Sequence, residues 1–346
     1  MKRNGFACIA TLVAGLISWT QTAAAQSVAD FYKGKTLEVF VGYGPGGGYD
    51  QYGRLLARHI GKHLPGNPST VVRNMPGAGS AKLASYMHEV AAKDGLQIGA
   101  IASTVAFDPL LGSEGGENSV RFDPRELHWL GSLDAFTPIG VSWHTSGIKT
   151  IEDAKKKEVL VGSSGSGDSS AVYPKLLNGM IGTKFKILTG YRGSNDITLA
   201  MERGELPAFV GWYWYGLKTT KANWLTDKTA NLFLQIGLEP DPEMQGVPWV
   251  LDILPSEADK QVFRVVLANL AFSRPFVAPP GVPEARLAAL AKAIEDTTKD
   301  KEFLAEAEKQ TMSVKYYSRE KIAALLKDVY ATPPELIAKV REASVQ

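Results

Sequence analysis

Apolar positions in this chain fall into two alternating patterns, and the alternation predicts its architecture. Leu37 to Val41 is a short, continuous apolar run, the pattern of a strand buried on both faces. From Tyr49 the spacing changes to three and four. Tyr52, Leu55, Leu56, Ile60 and Leu64 share one stripe of a helix, which Pro65-Gly66 ends. Thr70 to Arg73 reads as a second strand. Leu83, Tyr86, Met87 and Val90 line up on a second helix, Lys93-Asp94-Gly95 closes it, and Gln97 to Ala102 is a third strand.

Gly112 to Asn118 interrupts this order with a glycine- and glutamate-rich stretch, read as the first crossing between two units. Strands are then predicted at Trp129 to Leu133, Ile139 to Trp143, Val159 to Gly162, Phe185 to Leu188, Ala208 to Val210 and Leu232 to Ile236. Thr150 with Asp153 forms a capping pair before a short helix, and Ser194 reads as the N-cap of a helix to Arg203. Ser256 to Leu270 is a longer helix. Near Phe272 to Val277 the chain crosses back, and helices start at Pro283, Lys301, Arg319 and Pro333. The predicted class is α/β, with helices on both faces of each sheet. One unit comprises residues 26–107 plus 272–346, the other residues 108–271, and a hinge joins them. The cleft between such lobes is a usual ligand site.

The first residues change the picture of where the protein works. Lys2 and Arg3 precede an apolar stretch from Phe6 to Trp19, and Ala23-Ala24-Ala25 fits cleavage before Gln26, so residues 1–25 read as a signal peptide. No later stretch is long enough to span a membrane. The expected mature protein is exported to the periplasm and not embedded. Cys8 falls inside the leader, which leaves no thiol for disulfides, catalysis or metal binding. Losing Lys2 and Arg3 takes the formal charge from +2 to 0, giving no general attraction to nucleic acid or to anionic membranes. About 320 mature residues exceed one core and suit two domains.

Candidate chemistry lies in three glycine loops, each between a strand and a helix. The first, Gly42-Tyr-Gly-Pro-Gly-Gly-Gly-Tyr-Asp50, offers free backbone N–H groups at a helix start, an anion cradle. Its candidate contacts are Tyr43, Pro45, Gly46, Gly47, Gly48 and Asp50, where Asp50 either caps the helix or fixes the loop. The loop also satisfies the dinucleotide spacing of three glycines. The next strand, however, ends in Arg73-Asn74 with no acidic residue for a ribose, and no Gly-Lys-Ser/Thr is present. The second loop, Gly162-Ser-Ser-Gly-Ser-Gly-Asp-Ser-Ser170, adds hydroxyls: Ser163, Ser164, Ser166, Asp168, Ser169 and Ser170. It misses the nucleophile elbow because position 166 is serine. The third, Leu188-Thr-Gly-Tyr-Arg-Gly-Ser194, carries Tyr191 and Arg192, the latter suited to a carboxylate. Trp212-Tyr-Trp-Tyr215 follows a strand, and alternation would send Tyr213 and Tyr215 one way. Trp212 and Trp214 would go the other way, and either one pair lines the cleft or they pack the hinge. Gly79, Ser103 and Thr104 complete the candidate set. His59, His63, His88, His128 and His144 show no metal signature, and no catalytic residue or cofactor is expected.

In order and spacing these loops resemble the periplasmic receptors of tripartite tricarboxylate transporters, the Bug or TctC-like proteins. The marks are Gly44-Pro-Gly-Gly-Gly-Tyr-Asp50 with Arg54 and Ala57-Arg58 behind it, Asn74-Met-Pro-Gly-Ala-Gly-Ser80, Ala92-Lys-Asp-Gly95, the serine loop at 162–170, Tyr191-Arg-Gly193, and Ala278-Pro-Pro-Gly-Val-Pro283. The resemblance implies a two-lobed type II periplasmic-binding-protein fold that closes on a small carboxylic acid and delivers it to membrane subunits. In such proteins amides around Gly46 to Gly48 and Ser163 to Ser170 take carboxylates. This chain departs from the pattern at Asp168, where relatives usually carry serine, at Ala171, often histidine, and at Arg192, usually lysine. A carboxylate at position 168 would repel a second ligand carboxylate unless it only caps the helix. The expected ligand therefore has one carboxylate held by the first lobe and a planar or hydroxylated remainder. An exported serine hydrolase and a sensor feeding a signalling protein are the alternatives. A monomer is expected.

Overall fold

The computed structural model describes residues 26–111 and 122–345, so the leader and the Gly112 to Asn118 crossing lie outside the described residues. Within them eleven strands form two sheets. The first contains β1 (Thr36–Val41), β2 (Ser69–Asn74), β3 (Gln97–Ala100) and β4 (His128–Ser132). The second contains β5 (Pro138–Trp143), β6 (Val159–Ser163), β7 (Phe185–Thr189), β8 (Ala208–Tyr213) and β9 (Ala230–Gln235). The chain then returns to the first with β10 (Pro275–Ala278) and β11 (Tyr317–Ser318).

Strand order is β11-β4-β10-β3-β1-β2 in the first sheet and β7-β6-β8-β5-β9 in the second. β1 runs parallel to β2 and β3, whereas β10 is antiparallel to both β3 and β4. In the second sheet β6 is parallel to β7 and β8, and β5 is antiparallel to β8 and β9. Both sheets are thus mixed. The parallel strands carry the continuous apolar runs because helices cover both faces. Val39, Val41, Val161 and Val210 are fully buried.

Most predicted helices form where their caps placed them. Gly48–Ile60 buries Tyr52, Leu55, Leu56 and Ile60, with Leu64 buried in the turn that follows. Thr150 and Asp153 make the capping box, and Ser256 caps Glu257–Leu267. Three local readings are corrected. Ser194 is the first helical residue, not the cap, and the cap position is Gly193. Val90 falls just past Ala81–Glu89 and is exposed, because the helix ends one residue before it. β8 ends at Tyr213 and Trp214–Thr220 is a helix, so alternation stops there and Tyr213 and Tyr215 part company.

Two expectations about lobe membership, one of a strand and one of a helix, are overturned by non-local contacts. Trp129 to Leu133 was expected in the second unit. It is β4 of the first sheet, held by the returning β10 through pairs such as Phe276 with Gly131. The chain therefore passes to the second sheet between β4 and β5, through residues 133–137, beyond the expected boundary at 108. The tail is divided as well. Glu284–Lys299 and Arg319–Tyr330 pack on β4, but Pro334–Val345 packs against Ser169–Ile181 and Glu257–Leu267 of the second lobe. Val340 is fully buried in the second-lobe core. Residues 334–345 thus cross back once more, because their apolar stripe finds its cover there.

Candidate functional site: a cavity between the lobes

Strand ends and helix starts from both lobes converge on one narrow cavity of about 40 Å³. The first loop forms its near wall. The Asp50 carboxylate accepts from Gly46 N (2.8 Å), Arg54 Nε (2.8 Å) and Asn74 Nδ2 (2.8 Å), which locks the loop from behind. Burial alone would raise its pKa, but these donors outweigh it and hold the carboxyl below the usual range. Asp50 is therefore the loop's anchor and not a wall of the cavity. With Asp50 turned back, Gly48–Ile60 starts without any side-chain cap, and Gly47, Gly48 and Tyr49 face the cavity.

Against that helix start lies Arg274, only 2% exposed. Its Nη2 would meet a Cβ at Gly48 at 2.7 Å, so glycine is what lets the guanidinium touch the first turn. The guanidinium carbon lies 3.8 Å from the Phe136 ring centroid, 4.1 Å from Tyr49, 4.6 Å from Tyr213 and 5.3 Å from Tyr52. Cation–π attraction holds the group in place. Its backbone is fixed by a bond from Arg274 N to Ser132 Oγ (3.0 Å), and Nη1 donates to Ser273 O (3.3 Å). Nε is buried with no hydrogen-bond partner. Among the described residues no carboxylate forms a salt bridge with it. Asp134, whose carboxyl the Arg274 charge lowers, is occupied by Tyr52 (2.8 Å) and Ser313 (2.9 Å). A buried cation beside the positive end of a helix is strongly anion-seeking.

The second lobe supplies the opposite wall. Asp168 is the N-cap of Ser169–Ile181, and its Oδ1 accepts from Ser170 N (2.9 Å) and from Ser170 Oγ. Its Oδ2 accepts from the Tyr43 hydroxyl of the first lobe (2.5 Å). Burial and the Asp168 charge both push Tyr43 well above its ordinary pKa, which keeps that donor protonated. Ser163 is spent within the loop, on Gly165 and Ser170. Ser164 Oγ is buried without a partner, and Ser169 Oγ bonds Gly211 O (3.1 Å) beside the Tyr213 hydroxyl (3.4 Å). Gly193 and Ser194 bring a second helix start, Ser194–Glu202, to the cavity, again with no side-chain cap. Phe209, Trp212 and Ile197 close the apolar side.

The lobes touch directly around this cavity. Gly44 N donates to Arg192 O (2.8 Å), Gly79 N to Ser164 O (3.0 Å), and Asn195 Nδ2 to Pro45 O (3.3 Å). The structure is a closed arrangement.

Of the sequence-predicted residues, Tyr43, Gly47, Gly48, Ser164, Asp168, Ser169, Ser170 and Tyr213 line the cavity. Pro45, Gly46, Gly79 and Ser163 shape the loops around it without lining it. Ser166 and Tyr191 also lie outside. Ser103 bonds Asn269 (3.2 Å) and Thr104 is buried nearby, both away from the cavity. Arg192 is corrected outright: its side chain is exposed and pairs with Asp196 (2.9 Å), while only its backbone reaches the first loop. Arg274, Tyr49, Trp212 and the Gly193-Ser194 helix start were missed as contacts. For Arg274 the signal was legible: a single charge inside the apolar run Leu270-Ala-Phe-Ser-Arg-Pro-Phe-Val-Ala278. Tyr215 packs the hinge, its hydroxyl on Gln310 O (3.2 Å), and Trp214 bonds Glu243 outside.

This two-lobed architecture, closed over an interlobe cavity, is shared in fold by solved structures of periplasmic binding proteins. The periplasmic binding protein BugD superposes with a TM-score of 0.69 at 17% identity, covering 91% of this chain and 99% of its own. Rpa4515 of R. palustris with adipate gives 0.68 at 15%, covering 89% and 97%. MatC from Rhodopseudomonas palustris with bound malate gives 0.66 at 17%, covering 90% and 99%. No protein-family model and no curated protein matches the sequence. The chain has the two-lobed α/β fold of the Bug and TctC-like receptors, as its loops indicated.

Proposed function

We propose that this protein is an exported solute receptor that closes on a small carboxylic acid and hands it to the membrane subunits of a tripartite transporter. The observation that carries this reading is Arg274, a buried cation with an unpartnered Nε, set against the uncapped start of Gly48–Ile60. One ligand carboxylate would bridge the guanidinium and the helix amides, a charge-assisted arrangement stronger than neutral hydrogen bonds. The remainder would lie against Phe209, Trp212 and Tyr213, with Ser164 and Ser169 available to a hydroxyl. Adipate and malate in two proteins of this fold support the choice of carboxylates. The lobes separate to admit ligand, and differential affinity for the closed form drives closure. The serine-hydrolase alternative loses ground, since among the described residues no histidine lines the cavity and Ser164 Oγ has no hydrogen-bond partner.

Isothermal titration of the mature protein, unfolded and refolded to strip carried-over ligand, against aliphatic, hydroxy-, amino- and aromatic carboxylates tests this. Binding of one class at micromolar or tighter affinity supports the reading. Absence of binding by every acid, or binding unchanged in R274Q, overturns it.

A further inference from the structure

The cavity carries two formal charges of opposite sign, Arg274 and Asp168, and its other lining residues are uncharged. A short stack of rings separates the two. The guanidinium lies 4.1 Å from Tyr49, Tyr49 stacks 4.3 Å from Tyr43 with an interplanar angle of 13°, and the Tyr43 hydroxyl meets Asp168. Asp168 is 7% exposed and forms no salt bridge among the described residues. Its charge is stabilised by three donors, two on Oδ1 and one on Oδ2. A carboxylate offers about four acceptor positions, so one remains on Oδ2. Two helix starts and a guanidinium draw a carboxylate to one end of the cavity. At the other end a second carboxylate would meet a buried anion with no cation to screen it, which is strongly unfavourable. A hydroxyl or ammonium there would donate to the remaining lone pair.

We propose that the cavity selects monocarboxylic acids bearing a hydrogen-bond donor, hydroxyl or ammonium, and rejects dicarboxylates. This rests on the carboxylate reading above and names the ligand class within it. Arg274 reads the carboxylate, and Asp168 reads the donor and sets the specificity.

The test is calorimetric, on the refolded mature protein, with one carbon skeleton. The probes are butyrate, its 2-, 3- and 4-hydroxy and 2-, 3- and 4-amino derivatives, and succinate. Phenylacetate, mandelate and 4-hydroxyphenylacetate extend the series to a planar remainder. At least one donor-bearing acid should bind about tenfold or more tighter than its parent, the gain typical of a hydrogen bond to a charged group. Succinate should bind no tighter than butyrate. Comparison of the hydroxy and amino arms tells which donor is read. In D168N, which keeps the helix cap, the preference should shrink to within about threefold and succinate should gain. D168S, also a capping residue, serves if D168N does not fold. Equal binding of parent and donor-bearing acids, succinate as the tightest ligand, or an undiminished preference in the variants overturns the proposal while leaving the receptor reading intact. Binding of no acid at all overturns both.

Discussion

The Tyr43 hydroxyl of the first lobe donates a 2.5 Å hydrogen bond to the Asp168 carboxylate of the second. The bond exists only while the lobes are together, whereas the Ser170 bonds to Asp168 lie within the second lobe and survive opening. Tyr43→Phe removes the latch and leaves the helix cap. Affinity for the best carboxylate probe should fall about tenfold, with the faster dissociation read by stopped-flow. Unchanged affinity would show that the latch does not contribute to closure.

Gly165 predicts a stronger effect by sterics alone. A Cβ there would lie 2.3 Å from the Ala78 carbonyl carbon and 2.4 Å from Gly79 N, both backbone atoms of the opposite lobe. Gly165→Ala should therefore wedge the cleft. Overpacking of this kind typically costs 1–3 kcal/mol, so affinity should fall roughly ten- to a hundredfold. The contact is absent in the open form, and the ligand-free melting temperature should barely move. Small-angle scattering should show a ligand-induced compaction in the wild type that the variant lacks.

Arg274 separates stability from function. Arg274→Met keeps much of the volume, removes a buried cation that forms no salt bridge among the described residues, and preserves contact with the rings. Such replacements are often neutral or stabilising. The ligand-free protein should melt at the same temperature or higher, while carboxylate affinity drops by about a hundredfold or more. Arg274→Lys should not restore binding, because a compact ammonium cannot reproduce the planar fork. A destabilised Met variant would refute the view that this cation is held for the ligand.

Asp134 predicts a pH signature. Burial, partly offset by donors from Tyr52 and Ser313 and by the Arg274 cation, pushes its carboxyl up to about 6. The unfolded value is near 3.9. The folded pKa is the higher one, so the group's contribution to stability is fully present below pH 4 and is lost as pH rises through 6. Relative to Asp134→Asn, the wild type should lose about 2 kcal/mol between pH 4 and pH 7, measured by urea unfolding. Parallel pH profiles for the two proteins would refute the assignment.

What the sequence revealed follows the range of the interaction involved. Helix starts at Ser256, Thr150 and Pro283 were legible because caps act within one turn. The strand-to-helix glycine loops were legible as loops because an apolar run, a glycine cluster and a helical stripe follow one another within a few residues. Asp168 was flagged from its residue type, and its cap was anticipated as one of two roles. The placement of Trp129 to Leu133 was not legible, since its sheet is decided by pairing with β10, remote in sequence. At the site the burial of Arg274 was legible from the apolar run around it, but the partners of Arg192 and Arg274 were not. Both follow or precede a strand, but local pattern does not tell that Asp196 pairs with one while four rings enclose the other.

The closing helix also governs the order in which the molecule can be built. Val340 completes the core of the second lobe, and β10 and β11 complete the sheet of the first. Neither lobe is complete without segments from the C-terminal third of the chain. The two lobes are therefore expected to mature together, since each depends on contacts remote in sequence. A fragment of residues 138–271 would leave the apolar seat of Leu336 and Val340 bare, so the second lobe on its own should be a poor folding unit and prone to self-association.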